Sequence, residues 1–343
     1  MRVLVLARTF LPIVGGLEIR MAQLAEAWSR QGIRVVVATR TPGESQQAPF
    51  RVLRNPGALE MLREVRRADV VYQPNLSLRE LWPLALVNKP WVVSHHSWYT
   101  RTDGSVTLAD HLKRTLSHRA DASIAVSHAV AHDLGPGTLV IPNPYRDNIF
   151  YLRPDIVKDR ELAFVGRLVS DKGLDVLLDA LAVLARRSMH PRLTVIGEGP
   201  ERAAAQAATD RLGLSEQVRF AGQCEGEALA RQLARHKILV VPSRYREPFG
   251  IVALEGMASG CIVIGSEGGG LAEAIGDCGL TFPNGDSACL ATLIERTLSD
   301  EALREALRSN VPRHLARFQE EAIVDRYVRL FQRVVNAPGG PSA

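Results

Sequence analysis

Short apolar runs of strand length recur along this chain, each followed by a stretch with helical spacing, and this alternation restricts the fold more than any other feature. VLVLA (3–7), IRVVVAT (33–39), DVVYQ (69–73), WVVSH (91–95) and ASIAVS (122–127) are such runs. Between the first two, residues 18–30 set Met21, Leu24, Ala25 and Trp28 on one helical face. Further helices are expected around 58–67, 78–87 and 106–119, and a last strand in LVIPNP (139–144). Strands alternating with helices predict a parallel sheet covered on both faces.

The pattern lapses over 142–160, where Pro142, Pro144 and Pro154 interrupt and VKDRE is polar and unpatterned. It then restarts with LAFVGR (162–167), a helix at 174–187, LTVIGEG (193–199), a helix at 200–212, VRFAG (218–222), a helix at 226–235, ILVVPS (238–243), a helix at 251–259, IVIGS (262–266) and a helix at 270–275. The reading is two Rossmann-like α/β domains, at 1–150 and 151–318. A helix over 319–336 carries an apolar stripe of Ile323, Tyr327, Leu330, Phe331 and Val334 and is expected to cross back onto the first domain. Residues 337–343 read as a disordered tail. Two such domains would face each other across a cleft at the carboxyl ends of their strands, where doubly wound sheets bind ligands.

Composition removes whole classes. With 46% hydrophobic and 23% charged residues, the chain is neither disordered nor fibrous. Its apolar runs are too short to span a bilayer. MRVLVLARTF lacks a cleavage site and runs at once into Pro12, Gly15 and Gly16, so it reads as a first strand rather than a signal peptide. Cys224, Cys261, Cys278 and Cys289 show no metal-ligand spacing and suit buried or half-buried thiols in a reducing cytoplasm. The net charge of +5 is uneven: residues 1–150 hold 18 Lys+Arg against 12 Asp+Glu. A basic first half suits anionic membranes or phosphate-bearing ligands, and equally a plain Arg-rich surface.

A redox dinucleotide is disfavoured. No G-x-G-x-x-G follows the first strand, and 197-GEGPER-202 keeps only two glycines, for which tight turns suffice. Gly15 and Gly16 at a helix start would let a phosphate approach backbone N–H groups. In FVGRLVSDKG (164–173), Arg167 and Lys172 follow a strand end and suit a diphosphate; the alternative is a solvated loop with an Asp171–Lys172 pair. His95 and His96 end a strand, and only one of two neighbours in an extended chain can face a ligand. No metal-ligand set stands out. In 247-EPFGIVALE-255, a helix is expected to start between Pro248 and Gly250, with one glutamate ahead of it and one inside it.

Taken in order, FVGRLVSDKG, LTVIGEGP, VRFAG, VPSRYREPFGIVALEGMASG, EGGGLAEAI and GLTFPNGD resemble the retaining, GT-B-fold glycosyltransferases of family 4, and the likeness runs through nearly the whole chain. It implies metal-independent transfer of a hexose-type sugar from a nucleotide-diphospho-sugar to an acceptor hydroxyl, by a same-face internal-return route. The E-x7-E element matches Glu247, which would bind donor-sugar hydroxyls, and Glu255, which would bind the ribose about 6 Å further along the helix axis. The N–H groups of Phe249, Gly250 and Ile251 match the diphosphate cradle, with Arg167 and Lys172 as its cations. Gly15 and Gly16 match the loop closing over the phosphates. His96 matches the histidine at the reacting centre, which leaves His95 a structural role.

Some positions depart from the family. His236-Lys237 replaces Ala-Asp, Gly260-Cys261-Ile262 lacks the proline of G-x-P, and Asn143-Pro144 replaces N-G. These are packing or turn positions, and the last bears on the hinge. Lys113, Arg114, His118 and Arg119 make 107–121 a basic helix. A lipid-linked acceptor would place it against anionic lipid at the inner face of the membrane; a solvated helix face is the plainer reading. Nucleic acid is not an expected partner. The rivals are a sugar-nucleotide 2-epimerase of the same fold and a non-catalytic nucleotide-sugar or glycan binder.

Overall fold

The computed structural model describes residues 1–13, 15–43, 48–101 and 104–337. The chain divides into two compact units, one formed by Met1–Asn143 with the segment from Glu320 onward, the other by Pro144–Gln319.

The first unit is a sheet of β1 (Arg2–Ala7), β2 (Arg34–Thr39), β3 (Arg51–Arg54), β4 (Val70–Pro74), β5 (Trp91–His95), β6 (Ala122–Ala125) and β7 (Leu139–Val140). Their order is β3-β2-β1-β4-β5-β6-β7, with all neighbours parallel. Alternation along β1 explains its continuous apolar run. Val3 and Val5 pack on one side, with Met21, Leu24 and Trp28 of helix Gly16–Arg30. Leu4 and Leu6 pack on the other, with Met61 and Val65 of helix Ala58–Arg67.

Helix Glu320–Val335 packs into this first unit, as its stripe implied. The Trp28 indole is fully buried and meets the rings of Tyr72, Tyr327 and Phe331 edge-on at centroid distances of 5.4, 5.5 and 5.3 Å.

The second unit is a sheet of β8 (Arg160–Val165), β9 (Leu193–Ile196), β10 (Val218–Gly222), β11 (His236–Val241), β12 (Ile262–Ser266) and β13 (Gly279–Phe282). Their order is β10-β9-β8-β11-β12-β13, again all parallel. Its core joins Leu162, Phe164, Val195, Ile238 and Ile264 to Leu177 and Leu181 of helix Leu174–Arg186 and to Leu290 and Ile294 of helix Ser287–Ser299.

Several expectations shift. The units part at 143/144 rather than after 150, because Tyr145 and Phe150 are buried and Arg146 reaches Glu255 in the second unit. The 139–144 strand stops at Val140, ahead of Pro142 and Pro144, which lack ladder N–H groups. The 78–87 helix is a 3-10 turn, Leu78–Glu80, and a short helix, Trp82–Leu86, with Pro83 at its start. Strands β3 and β13 and helices Ser287–Ser299 and Glu301–Leu315 were not anticipated. Of the tail expected at 337–343, residues 338–343 lie outside the described residues.

Candidate active site

In the second unit, the carboxyl ends of β8, β11 and β12 gather most of the candidate residues. Glycines let the backbones close up here. A Cβ on Gly197 would lie 1.9 Å from the Gly166 carbonyl oxygen, and one on Gly199 2.4 Å from that of Leu168. The GEG glycines therefore serve close approach of neighbouring loops. At Gly173 (φ +68°), a Cβ would lie 2.0 Å from the Pro242 carbonyl oxygen. The Asp171 carbonyl accepts from the N–H groups of Arg244 and Tyr245 at 2.9 and 3.1 Å. These contacts tie the 166–173 loop to the loop after β11.

The tie brings Lys172 Nζ to 2.5 Å from Glu247 Oε1, which also accepts from Ser243 Oγ at 2.7 Å. The lysine's partner is thus Glu247, 75 positions away, and not the adjacent Asp171. Glu247 is fixed through its backbone as well, its carbonyl accepting from Gly270 N at 2.7 Å. Asn284 braces the same region: its Nδ2 donates to the Ser243 carbonyl at 3.0 Å and its Oδ1 accepts from Gly268 N at 2.9 Å. Arg167 is exposed, and its side chain has no partner among the described residues.

Helix Ile251–Ala258 starts immediately after this pair. Gly250 is its N-cap at φ +108°, and a Cβ there would meet Leu271 Cδ1 at 2.5 Å, so only glycine fits. No side chain caps the helix. The N–H groups of Phe249, Gly250 and Ile251 have no acceptor among the described residues, which leaves an open anion site at the positive end of the helix dipole. The Phe249 ring is buried, 5.8 Å from Phe318, so this residue offers only backbone. Glu255 is buried one turn into the helix, with Arg146 Nη2 3.7 Å from its Oε1.

In the first unit the carboxyl ends of β1, β4 and β5 form a second group. Helix Gly16–Arg30 begins at Gly15 without a side-chain cap. A Cβ on Gly16 would meet nothing within 4 Å, whereas one on Gly15 would meet the Glu18 carboxylate. Packing alone therefore does not require Gly16.

His95 is fully buried, its ring nitrogens bonded to Tyr99 Oη at 2.8 Å and Ser123 Oγ at 3.1 Å. Burial holds its pKa down at about 3. It is a core histidine, in keeping with its assignment to structure. His96 Nε2 lies 2.9 Å from Ser94 Oγ, and its backbone N–H donates to Asn75 Oδ1 at 2.7 Å. Burial, then the charge of Arg20, lower its pKa to about 4 against an opposing hydrogen bond from Asn143. The ring is thus neutral at neutral pH, available to hydrogen-bond but not to act as a cation.

A cavity of about 470 Å³ opens beside it, lined by Arg8, Thr9, Asn75, Arg79, Trp98 and Lys113 among others. Asn75, Arg20, Ser243 and Asn284 were not assigned to the site from the sequence, and Asn143 was noted only as part of the hinge. Asn143 had a signal in the Asn143-Pro144 departure, and Asn284 in the N-G turn of GLTFPNGD.

Two of the departures from the family pattern, at His236 and Cys261, are packing positions. His236 is buried between the Gln232 carbonyl at 2.7 Å and Thr194 Oγ1 at 2.9 Å. The Cys261 thiol is buried and directed at the Leu233 and His236 carbonyls. All four cysteines are free thiols. Among the described residues no three His, Cys, Asp or Glu side chains are placed to hold a metal ion, and no helix is long and apolar enough to cross a membrane.

Comparison with known proteins agrees with this architecture. Residues 153–314 match the family model of glycosyl transferases group 1, and residues 14–145 match that of Glycosyltransferase Family 4. The phosphatidyl-myo-inositol mannosyltransferase of Mycobacterium leprae is 26% identical over 95% of each chain. The D-inositol 3-phosphate glycosyltransferase of Jonesia denitrificans is 33% identical over 50% of this chain and 42% of its own length. Among solved structures, sucrose-phosphate synthase from Thermosynechococcus elongatus superposes with a TM-score of 0.83 at 25% identity, over 98% of this chain and 100% of that one. Anabaena Alr3699/HepE in complex with UDP gives 0.83 at 21%, over 97% and 100%. Two parallel-sheet units of this topology, matched in turn by these two models, make the chain a glycosyltransferase of family 4 with the GT-B fold.

Proposed function

We propose that the enzyme transfers a hexose-type sugar from a nucleotide-diphospho-sugar to an acceptor hydroxyl with retention at the anomeric carbon. The observation that carries this reading is the Lys172–Glu247 pair set directly ahead of the uncapped N-terminus at 249–251. A diphosphate on those N–H groups would have Lys172 and the unpartnered Arg167 beside it. They would carry the charge that grows on the leaving group, and no metal ion is then required. Glu247, released from or sharing Lys172, would grip donor-sugar hydroxyls. Glu255 would reach the ribose once Arg146 yields. Neutral His96, held by Ser94 and Asn75, would accept or donate a hydrogen bond at the sugar, and Gly16 would let the phosphates approach. A same-face route, in which the departing phosphate takes the acceptor's proton, asks no base of these residues.

The solved neighbours that hold UDP and UDP-glucose make uracil donors the first to try. Arg8, Arg79 and Lys113 around the first-unit cavity suit an acceptor hydroxyl close to a phosphate, in line with the phosphatidyl-myo-inositol and D-inositol 3-phosphate in the relatives' names. Leu108 and Leu112, 89% and 49% exposed on helix Leu108–Ser117, with Arg119 just beyond it, favour contact with an anionic membrane over a plain solvated face.

The test is a panel of nucleotide sugars and acceptors, with released nucleoside diphosphate and the product's anomeric configuration as readouts. Donor-dependent release with retention, persisting in EDTA, is expected, and Lys172→Met should lower kcat by about 10²–10³. An altered donor sugar without transfer would mean an epimerase. Release at background would mean a binder. Normal turnover by Glu247→Gln would remove Glu247 from the site, and absence of binding to anionic liposomes at low salt would remove the membrane.

A further inference from the structure

At the amino end of the second sheet, away from the Lys172–Glu247 pair, lies a cavity of about 660 Å³. This is the size of sites that hold drug-sized ligands. Its walls are mainly apolar: Tyr145, Phe150, Met257, Val311 and Leu315 contribute. Gly260, at φ +84°, passes so close to Lys158 that a Cβ there would meet its Cε and Nζ at 3.1 and 3.2 Å. The missing side chain makes room for the lysine stem.

Lys158 is the unusual feature. Its Nζ donates to the carbonyls of Ala234, His236 and Ser259 at 3.1, 2.9 and 3.1 Å, so its three hydrogens are used, and among the described residues it forms no ion pair with a carboxylate. Burial lowers its pKa and the nearby Arg308 lowers it further. The Cys261 thiol beside it is pushed up to about 11 by burial and stays neutral. Asp147 also lines the cavity but makes no ion pair with Lys158. Arg308 Nη1 meets Glu305 at 3.0 Å and Glu301 at 3.4 Å, leaving other N–H groups for a ligand. A partly buried cation without a counter-charge, at the end of an apolar cavity, is matched by an anion with an apolar body.

We propose that this cavity binds a small organic carboxylate of medium chain length, its carboxylate accepting from the remaining Arg308 N–H groups in the field of the Lys158 charge, and its body against Phe150, Met257 and Leu315. The occupant would press on two elements that hold Glu255. Phe150 carries the Arg146 guanidinium 5.2 Å above its ring, and Arg146 pairs with Glu255. Met257 and Ala258 end the helix whose start forms the candidate diphosphate cradle. Occupancy is therefore read as shifting nucleotide affinity; this coupling rests on the donor reading of Glu255, whereas the binding itself does not.

Calorimetric titration of the full chain with decanoate, and with decanol as the uncharged control, tests the site. Saturable one-to-one binding of decanoate, at least tenfold tighter than decanol, is expected. Arg308→Met, on an exposed helix, should erase most of that preference, and Lys158→Met the rest if the variant folds. Val311→Trp should block both ligands. No saturable binding, equal affinity for acid and alcohol, or indifference to Val311→Trp would overturn the site. A second titration with UDP, with and without saturating decanoate, tests the coupling. At least a threefold change in UDP affinity supports it, and an unchanged affinity overturns it. Failure of UDP to bind at all would count against the donor reading and leave the decanoate isotherm standing.

Discussion

Replacing Gly173 by alanine should unsettle the loop that carries Lys172, by an amount the geometry sets. Gly173 sits at φ +68°, ψ 29°, where an L residue costs about 1–2 kcal/mol. The new methyl carbon would lie 2.0 Å from the Pro242 carbonyl oxygen and 3.0 Å from its carbon. Both are backbone atoms at the end of β11, so the loop itself must move, at about 1–3 kcal/mol more for overpacking. The total is about 2–5 kcal/mol, a large share of the ~5–15 kcal/mol that holds a domain folded.

The assay can resolve which unit pays. All four tryptophans, Trp28, Trp82, Trp91 and Trp98, belong to the first unit. In urea, tryptophan fluorescence follows that unit while far-ultraviolet circular dichroism follows both. Gly173→Ala should lower the second unit's transition by about 1–2.5 M urea at an m of ~2 kcal/mol/M and leave the fluorescence transition in place. Under conditions where the variant is folded, donor turnover should still fall, since Lys172 is displaced from Glu247. A loss below about 0.5 kcal/mol, the range of ordinary surface changes, would refute the argument, as would an equal shift in tryptophan fluorescence.

Other outcomes follow from the same geometry. Gly16→Ala meets empty space in the first turn of a helix, so thermal stability should hold or rise by about 0.5–1 kcal/mol while nucleotide-sugar KM increases; unchanged kinetics would release Gly16 from the site. Burial lowers the His236 pKa to about 4, so on acidification the unfolded chain takes up the proton first. Its contribution is complete above about 6.5 and is lost as pH falls through about 4, at most about 3 kcal/mol; urea midpoints between pH 7 and 4 should slope less in His236→Gln. Trp28→Ala should cost the first unit about 3–5 kcal/mol, seen as an early transition in circular dichroism with the second unit unmoved.

The strands and most helices were legible because burial on both faces of a parallel sheet leaves continuous apolar runs that need no partner to be recognised. β1, β5 and β12 show this plainly. β3 escaped because RVLR has two arginines in four residues at a sheet edge. The helices at 287–315 escaped although they carry apolar periodicity, Leu290 and Ile294 among it. The candidate site was legible as residue types and spacing but not as pairs. Lys172 meets Glu247 only because β8 and β11 are neighbours in the sheet although two strands separate them in sequence. Asn75 and Asn143 reach His96 from the segments after two other strands, β4 and β7. No local pattern announces such contacts.

The helix Glu320–Val335 also determines the order in which the chain can become a protein. Gln23 Nε2 bonds Glu320 Oε2 at 2.7 Å across 297 positions, and Trp28 waits for Tyr327 and Phe331 over a similar span. The second unit is a single continuous segment and can complete itself while it is being synthesised. The first unit cannot, since six buried residues of its core come from a helix that lies beyond the whole of the second. Until that helix arrives, the apolar face around Trp28 and Tyr72 stands open to other chains. During synthesis or refolding, the unit that begins first is the last to close, and its yield should depend on how quickly the intervening segment folds out of the way.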